Sequence, residues 1–228
     1  MIGVAVNFIA IVLGGSLGSL LKKGMPERLS KMVIYALALC VIYIGISGAF
    51  EGQNTLVLVI SMAIGTLIGE LLDLDGKLNR AAEKIGSKLQ KNGQGGDSRF
   101  AEGFVTGTLM FCIGAMAIMG SLDAGLTGDN TTLYTKALLD GISSIAFASA
   151  MGMGVALSAV CVLVYQGTFV LLAQYISGFV SDYMVAEMTC AGSLLIMVIG
   201  FNMLEMTNIK VMNILPAVFI PFILCNFM

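Results

Sequence analysis

Residues 136–176 read KALLDGISSIAFASAMGMGVALSAVCVLVYQGTFVLLAQYI. At about 40 residues this apolar run is twice the ~20 that one membrane-spanning helix needs. It must therefore fold back, and Gly152-Met153-Gly154 at its middle is the place where glycine permits a tight turn. The same length criterion applied outward finds further apolar stretches at Ile2–Leu21, Met32–Phe50, Thr55–Leu72, Gly103–Leu122, Ala186–Leu204 and Val211–Phe227. The fold class expected is an all-α integral membrane protein with about eight transmembrane helices.

Composition agrees. The 228 residues are 57% hydrophobic and only 11% charged, against about 25% charged in a soluble domain. Mean hydropathy is +0.94 and the sequence pI is about 5.1. A soluble enzyme, a disordered chain and a nucleic-acid binder are all excluded by these values. Histidine and tryptophan are absent, so no imidazole serves as base, relay or metal ligand. Cys40, Cys112, Cys161, Cys190 and Cys225 all lie in apolar runs without metal-ligand spacing, and are read as small packing residues. Met110, Cys112, Met116 and Met119 are likewise read as packing rather than as a Cu(I) site. No metal, cofactor or enzymatic activity is assigned.

The basic residues orient the chain. Eight alternating spans place Lys22, Lys23, Arg28, Lys31, Lys77, Arg80, Lys84, Lys88, Lys91, Arg99 and Lys210 on one side, leaving Lys136 alone on the other. The positive-inside rule makes the crowded side cytoplasmic, with both termini outside a bacterial inner membrane. The first apolar run precedes its basic residues, which argues for a permanent span rather than a cleaved signal. Between the third and fourth spans, Leu74, Leu78, Ala81, Ala82, Ile85 and Leu89 form one stripe of a basic amphipathic helix over 75–91, lying on the cytoplasmic leaflet. Residues 92–98 after it read as a flexible linker.

A shift of 102 residues lays Gly18-Ser19-Leu20 on Gly120-Ser121-Leu122 and Gly65-Thr66 on Gly167-Thr168. This suggests an inverted 3+3 repeat: residues 1–72 form one three-helix unit and 100–176 the other, joined by 73–99, with 177–228 adding two helices. Inverted repeats place substrate paths near the bilayer midplane. Gly14/Gly18, Gly65/Gly69 and Gly103/Gly107 are GxxxG pairs suited to close helix packing, within the chain or in a homo-oligomer.

Polar residues inside spans are costly and mark candidate sites. Asp140 lies about one turn inside the fifth span, with Ser143 and Ser144 at i+3 and i+4 on the same face. Such a group suits a cation or a proton, unless Asp140 simply reaches outer water paired with Lys136. Gln166 lies mid-span and must bond another helix or a ligand. Asn7 and Asn202 are similar, nearer span ends. Thr108 and Cys112 share a small, soft face of the fourth span. Asp123 and Asp129, in the following loop, could draw cations to an outer entrance.

The run FVTGTLMFCIGAMAIMGSLDAGLTGD, followed by KALLDGISSIAFASAMGMGVALSA and VYQG, resembles the bacterial inner-membrane family catalogued as domain of unknown function 554 (YqgA/YdfK-like). The opening GVAVNFIAIVLGGSLGSLLKKGMPERL and the closing GSLLIMVIGFNML and NILPA extend the resemblance over nearly the whole chain. It implies a polytopic membrane protein of transporter type without an assigned substrate. It also marks Cys112, Gly114, Asp123, Asp129, Asp140, Ser143, Ser144 and Gln166 as family-pattern positions. The expected function is a transporter or channel for a small solute or ion, coupled to a cation or proton through Asp140. The alternative is a non-transporting scaffold or sensor acting through the basic helix 75–91. The expected partners are the lipid bilayer and the transported solute, with no nucleic acid.

Overall fold

The computed structural model describes residues 1–22, 26–77, 80, 98–113, 115–176, 178 and 180–225. The described residues are helical and contain no strand. The elements are α1 (Ile2–Lys22), α2 (Glu27–Ala49), α3 (Thr55–Leu72), α4 (Ser98–Cys112), α5 (Ala115–Leu126), α6 (Thr131–Met151), α7 (Gly154–Ile176) and α8 (Asp182–Met203). A broken C-terminal stretch follows, with α9 (Val211–Ile214), a 3₁₀ turn (Leu215–Val218) and α10 (Ile220–Leu224). Among the described residues, every apolar stretch picked out by length is thus mainly helical. Most of the basic segment 75–91 lies outside the described residues.

Five helices (α1, α2, α3, α7 and α8) are long and apolar enough to cross a membrane. The pair α4–α5 would make a sixth, but it bends by 57°. The span expected over 103–122 is thus made of two helices, α4 ending at Cys112 and α5 beginning at Ala115. α6 has the length of α1 but is diluted by Lys136, Asp140 and several hydroxyls. The C-terminal stretch is broken by prolines, which cannot donate to the preceding turn and so sit at helix starts. Pro216 opens the 3₁₀ turn and Pro221 opens α10.

The turn between α6 and α7 falls at Gly152, with φ 91° and ψ −157°. An L side chain rarely adopts that conformation, so glycine is required. The starts of α3 and α8 are also built locally. Asn54 caps α3 by accepting from the Leu56 N–H, and Ser181 caps α8 by accepting from the Met184 N–H.

The GxxxG pairs are spent on packing inside the chain. A Cβ at Gly14 would fall on the Gly141 carbonyl and the Ser144 hydroxyl, and one at Gly18 on the Ile145 carbonyl, so α1 lies backbone to backbone along α6. Gly65 and Gly69 press α3 onto Ala217 and Asn213, while Gly103 and Gly107 press α4 onto Met151 and Ser158. Without a hydrophobic driving force between helices in lipid, such close approach supplies the dispersion contact. In α3 the buried set is Val57, Ser61, Gly65 and Gly69. This single i, i+4 stripe faces the protein, while Leu67 and Leu71, 65% and 86% exposed, face outward. Exposed large apolar side chains occur on α1, α2, α3, α6 and α7 alike, as expected of surfaces that meet acyl chains rather than water.

The main pairings are α1 with α6, α2 with α8, α4 with α7, and α3 with the C-terminal stretch. In the 3+3 scheme, α4 against α7 would correspond to α1 against α3, and among the described residues that second pair shares no comparable contact.

Candidate functional site: a buried ionic cluster between three helices

Asn7 on α1, Lys136 and Asp140 on α6, and Gln166 on α7 meet in the interior. Asn7 and Gln166 are fully buried, and Lys136 and Asp140 are each 6% exposed. The Lys136 ammonium donates to both carboxylate oxygens of Asp140, at 3.0 Å to Oδ1 and 2.8 Å to Oδ2. One helical turn separates the two residues, so their shared face is a property of the sequence. Asn7 comes from the partner helix: its Nδ2 donates to Asp140 Oδ2 at 3.0 Å and to Gln166 Oε1 at 3.2 Å. Asn7 can reach because the Gly14 and Gly18 contacts hold α1 against α6. A further bond, from the Gly3 N–H to Asn130 Oδ1 at 2.9 Å, fixes the start of α1 to the start of α6.

The cluster is electrically neutral but incompletely bonded. Asn7 Oδ1 and Gln166 Nε2 are buried without a partner. A lone acceptor and a lone donor thus flank a desolvated ion pair, and leaving a buried polar atom unmatched costs about 1–3 kcal/mol. A buried ion pair is itself weak as a source of stability, because desolvation offsets the Coulombic gain. The arrangement is chemically able to exchange its counter-cation: a proton on Asp140, or a competing cation, releases Lys136.

The other candidate residues lie elsewhere. Ser144 donates to its own helix, to the Gly141 carbonyl at 2.8 Å. Ser143 is half-buried and makes no bond to the cluster. The reading that grouped both serines with Asp140 is therefore corrected: hydroxyls in apolar helices commonly bond back to the preceding turn, and Ser144 faces Gly14 as a packing surface. Thr108 and Cys112 make no hydrogen bond to the cluster either, although Cys112 lies near enough to feel the charges of Lys136 and Asp140. They line an apolar cavity of about 560 Å³ between α4, α7 and the 3₁₀ turn, with Cys161, Tyr165, Thr168 and Phe219.

Asn202 sits at the far end of α8 and pins the following loop. It donates to the Ile209 carbonyl at 2.8 Å and accepts from Thr207 Oγ1 at 2.6 Å and the Ile209 N–H at 3.1 Å. It also borders a cavity of about 190 Å³ with Glu102 and Lys210. Asp123 is exposed near the end of α5. Asp129 accepts from the Thr131 hydroxyl at 2.7 Å and the Thr131 N–H at 2.9 Å. Those bonds, the hydroxyl first, hold its carboxyl below the usual range, and they shape the turn that opens α6.

Sequence reasoning missed Glu187. It is 1% exposed, and its Oε1 accepts from the N–H groups of Gln53 at 2.6 Å and Asn54 at 2.7 Å. A carboxylate on α8 thus satisfies the backbone ahead of α3, where the helix dipole favours negative charge. Its Oε2 is buried and unpartnered. The available signal was an acidic residue one step inside the apolar run that begins at Ala186.

A similar protein in Bacillus subtilis (strain 168), the "Uncharacterized membrane protein YdfK", is 31% identical over 225 residues, covering 97% of this chain and 94% of its own. The "Uncharacterized protein YqgA" of Escherichia coli (strain K12) is 29% identical over 218 residues, covering 95% and 93%. No solved structure matches. A family model described as "Protein of unknown function (DUF554)" matches residues 2–226. Apolar helices, a relative named as a membrane protein and a family match over nearly the whole length converge, and this membrane protein belongs to the DUF554 family.

Proposed function

We propose that this protein is a transporter for a small solute or ion, resident in the bacterial inner membrane with its termini outside, in which the Lys136–Asp140 pair is the coupling site. The observation that carries this reading is the burial of that pair, both side chains 8% exposed, between helices joined through Asn7. Ionisable groups inside a membrane are expensive and mark ion or proton paths. Lys136 acts as the internal counter-cation of Asp140. When Asp140 takes up a proton or a cation, the ammonium is displaced, and the bonds linking α6 to α1 and α7 change with it. A change of charge is thereby converted to a change of packing, as coupled transport requires.

The test is flux in proteoliposomes. Pyranine-loaded vesicles under an imposed K⁺ potential report proton movement, and a panel of radiolabelled small solutes reports cargo. Wild type is expected to move protons or at least one labelled solute, and Asp140→Asn to lose coupling by tenfold or more. Equal flux in the two proteins would remove Asp140 from the mechanism.

A further inference from the structure

A second polar site lies apart from the ionic cluster. A crevice of about 240 Å³ opens between α2 and α8 beside the loop that leads to α3. Its polar wall is made by Ser47, Glu51, Thr189 and Ser193, and Ile113, just past the end of α4, closes one side.

Three observations single it out. First, Thr189 and Ser193 stand one turn apart on α8, 4% and 3% exposed, and their hydroxyls are unmatched. Thr189 Oγ1 is buried without a partner, and Ser193 makes no hydrogen bond among the described interactions. Ser121, Ser144, Ser149 and Ser158 show the usual alternative, each bonding back to its own helix. Second, Gly48 faces the Ser193 hydroxyl and the Thr189 methyl, and a Cβ there would strike the Ser193 oxygen, so the wall is open because the residue is glycine. Third, the α4–α5 span is interrupted where it borders the crevice. Interrupted spans within membranes are tolerated where they line cavities, and they accompany ion and substrate sites.

We propose that this crevice binds a small monovalent cation. All its polar groups are oxygens, which suit hard cations. It offers one exposed carboxylate, Glu51, to balance one charge, and neither Lys nor Arg lines it. The volume exceeds that of a bare ion and leaves room for several waters, at about 30 Å³ each, or for a short alkylammonium ion. Both sources present the same chemistry to the hydroxyls. The site needs no participation by Lys136 or Asp140 and stands whether or not they couple transport.

The test is the thermal stability of the full chain in detergent, titrated with NaCl or ethylammonium chloride against N-methylglucamine chloride at constant ionic strength. A ligand that binds only the folded state raises the melting temperature. Wild type is expected to gain several degrees with Na⁺ or with ethylammonium, and the one that acts identifies the source. Glu51→Gln, an exposed change, is expected to weaken the half-saturating concentration at least tenfold. Thr189→Val keeps the shape and removes an unmatched buried hydroxyl, so it should melt no lower than wild type in N-methylglucamine yet lose the cation response. No gain over N-methylglucamine in wild type, or an equal gain in Glu51→Gln and Thr189→Val, would overturn the proposal.

Discussion

Replacing Lys136 by Met and Asp140 by Asn, singly and together, gives the sharpest view of the buried cluster. Both side chains are 8% exposed and 2.8 Å apart, so bulk solvent screens neither. Each single change leaves the other charge buried and uncompensated, at a cost of about 3–5 kcal/mol. The double change removes both charges and leaves an acceptor at position 140 for Asn7. Replacing a whole buried pair by neutral groups is often close to neutral, so the double variant is expected within about 2 kcal/mol of wild type. The singles would then sum to about 6–10 kcal/mol, and the coupling energy would be at least 4 kcal/mol. The assay is reversible unfolding in mixed micelles of detergent and SDS, followed by circular dichroism. Because natural proteins have only about 5–15 kcal/mol of stability, the ordering is also visible as purified yield: the double variant should exceed either single. Single effects that add within about 0.5 kcal/mol would refute the argument, because residues that do not interact behave additively.

Gly14→Ala places a methyl on the Gly141 carbonyl, a backbone atom that cannot turn aside, and should cost about 3 kcal/mol or more. Gly167→Ala meets only the tip of Met1 at 3.9 Å, and should raise the melting temperature slightly through helix propensity, by up to ~1 kcal/mol. Gly152→Ala forces a side chain to φ 91° and should cost about 1–3 kcal/mol in the same unfolding assay. Glu187→Ala orphans two N–H groups at about 1–3 kcal/mol each, whereas Glu187→Gln keeps an acceptor. Hydrogen exchange at residues 53–56 should accelerate strongly in the first and weakly in the second.

Helix positions were legible because length and apolarity are local properties. Gly152 was legible because a run twice the length of a span must turn, and only glycine sits comfortably at that φ. The polar residues were legible one at a time, since each of Asn7, Asp140 and Gln166 is costly in lipid wherever it points. Their meeting was not: Asn7 lies 133 residues from Asp140 and 159 from Gln166, and no periodicity carries that distance. Face-sharing misled at Ser143 and Ser144, because i+3 and i+4 fix a direction but not a partner, and a serine can spend its hydroxyl on its own helix. Glu187 escaped because an acidic residue at the edge of an apolar run resembles an interfacial one. Only the fold brings the backbone of Gln53 and Asn54 over it.

The way the helices are fastened indicates where a change of charge would be felt. α1 and α6 are joined at their beginnings by Asn130 and Gly3 and further along by Gly14 and Gly18, with the cluster between these contacts, so they should move as one body. α7 is held differently. Its first residues are locked by close backbone contact, Gly154 against the Phe100 carbonyl and Ala156 against Gly15. Near the cluster the hydrogen bond that ties it to α1 is the 3.2 Å contact at Gln166, beside apolar packing of Leu163 and Val170 around Val4, and the neighbouring Gly167 is loosely surrounded. Beyond it, Val170 and Ala173 rest on Gly125 of α5, itself past the break after Cys112. When Asp140 loses its charge and Lys136 is released, the second half of α7 is therefore expected to swing with α5 about the fixed end at Gly154. Spin labels at Leu138 on α6 and Leu171 on α7, both more than half exposed, would report it. A distance distribution unchanged between wild type and Asp140→Asn would mean that the cluster does not control the packing of α7.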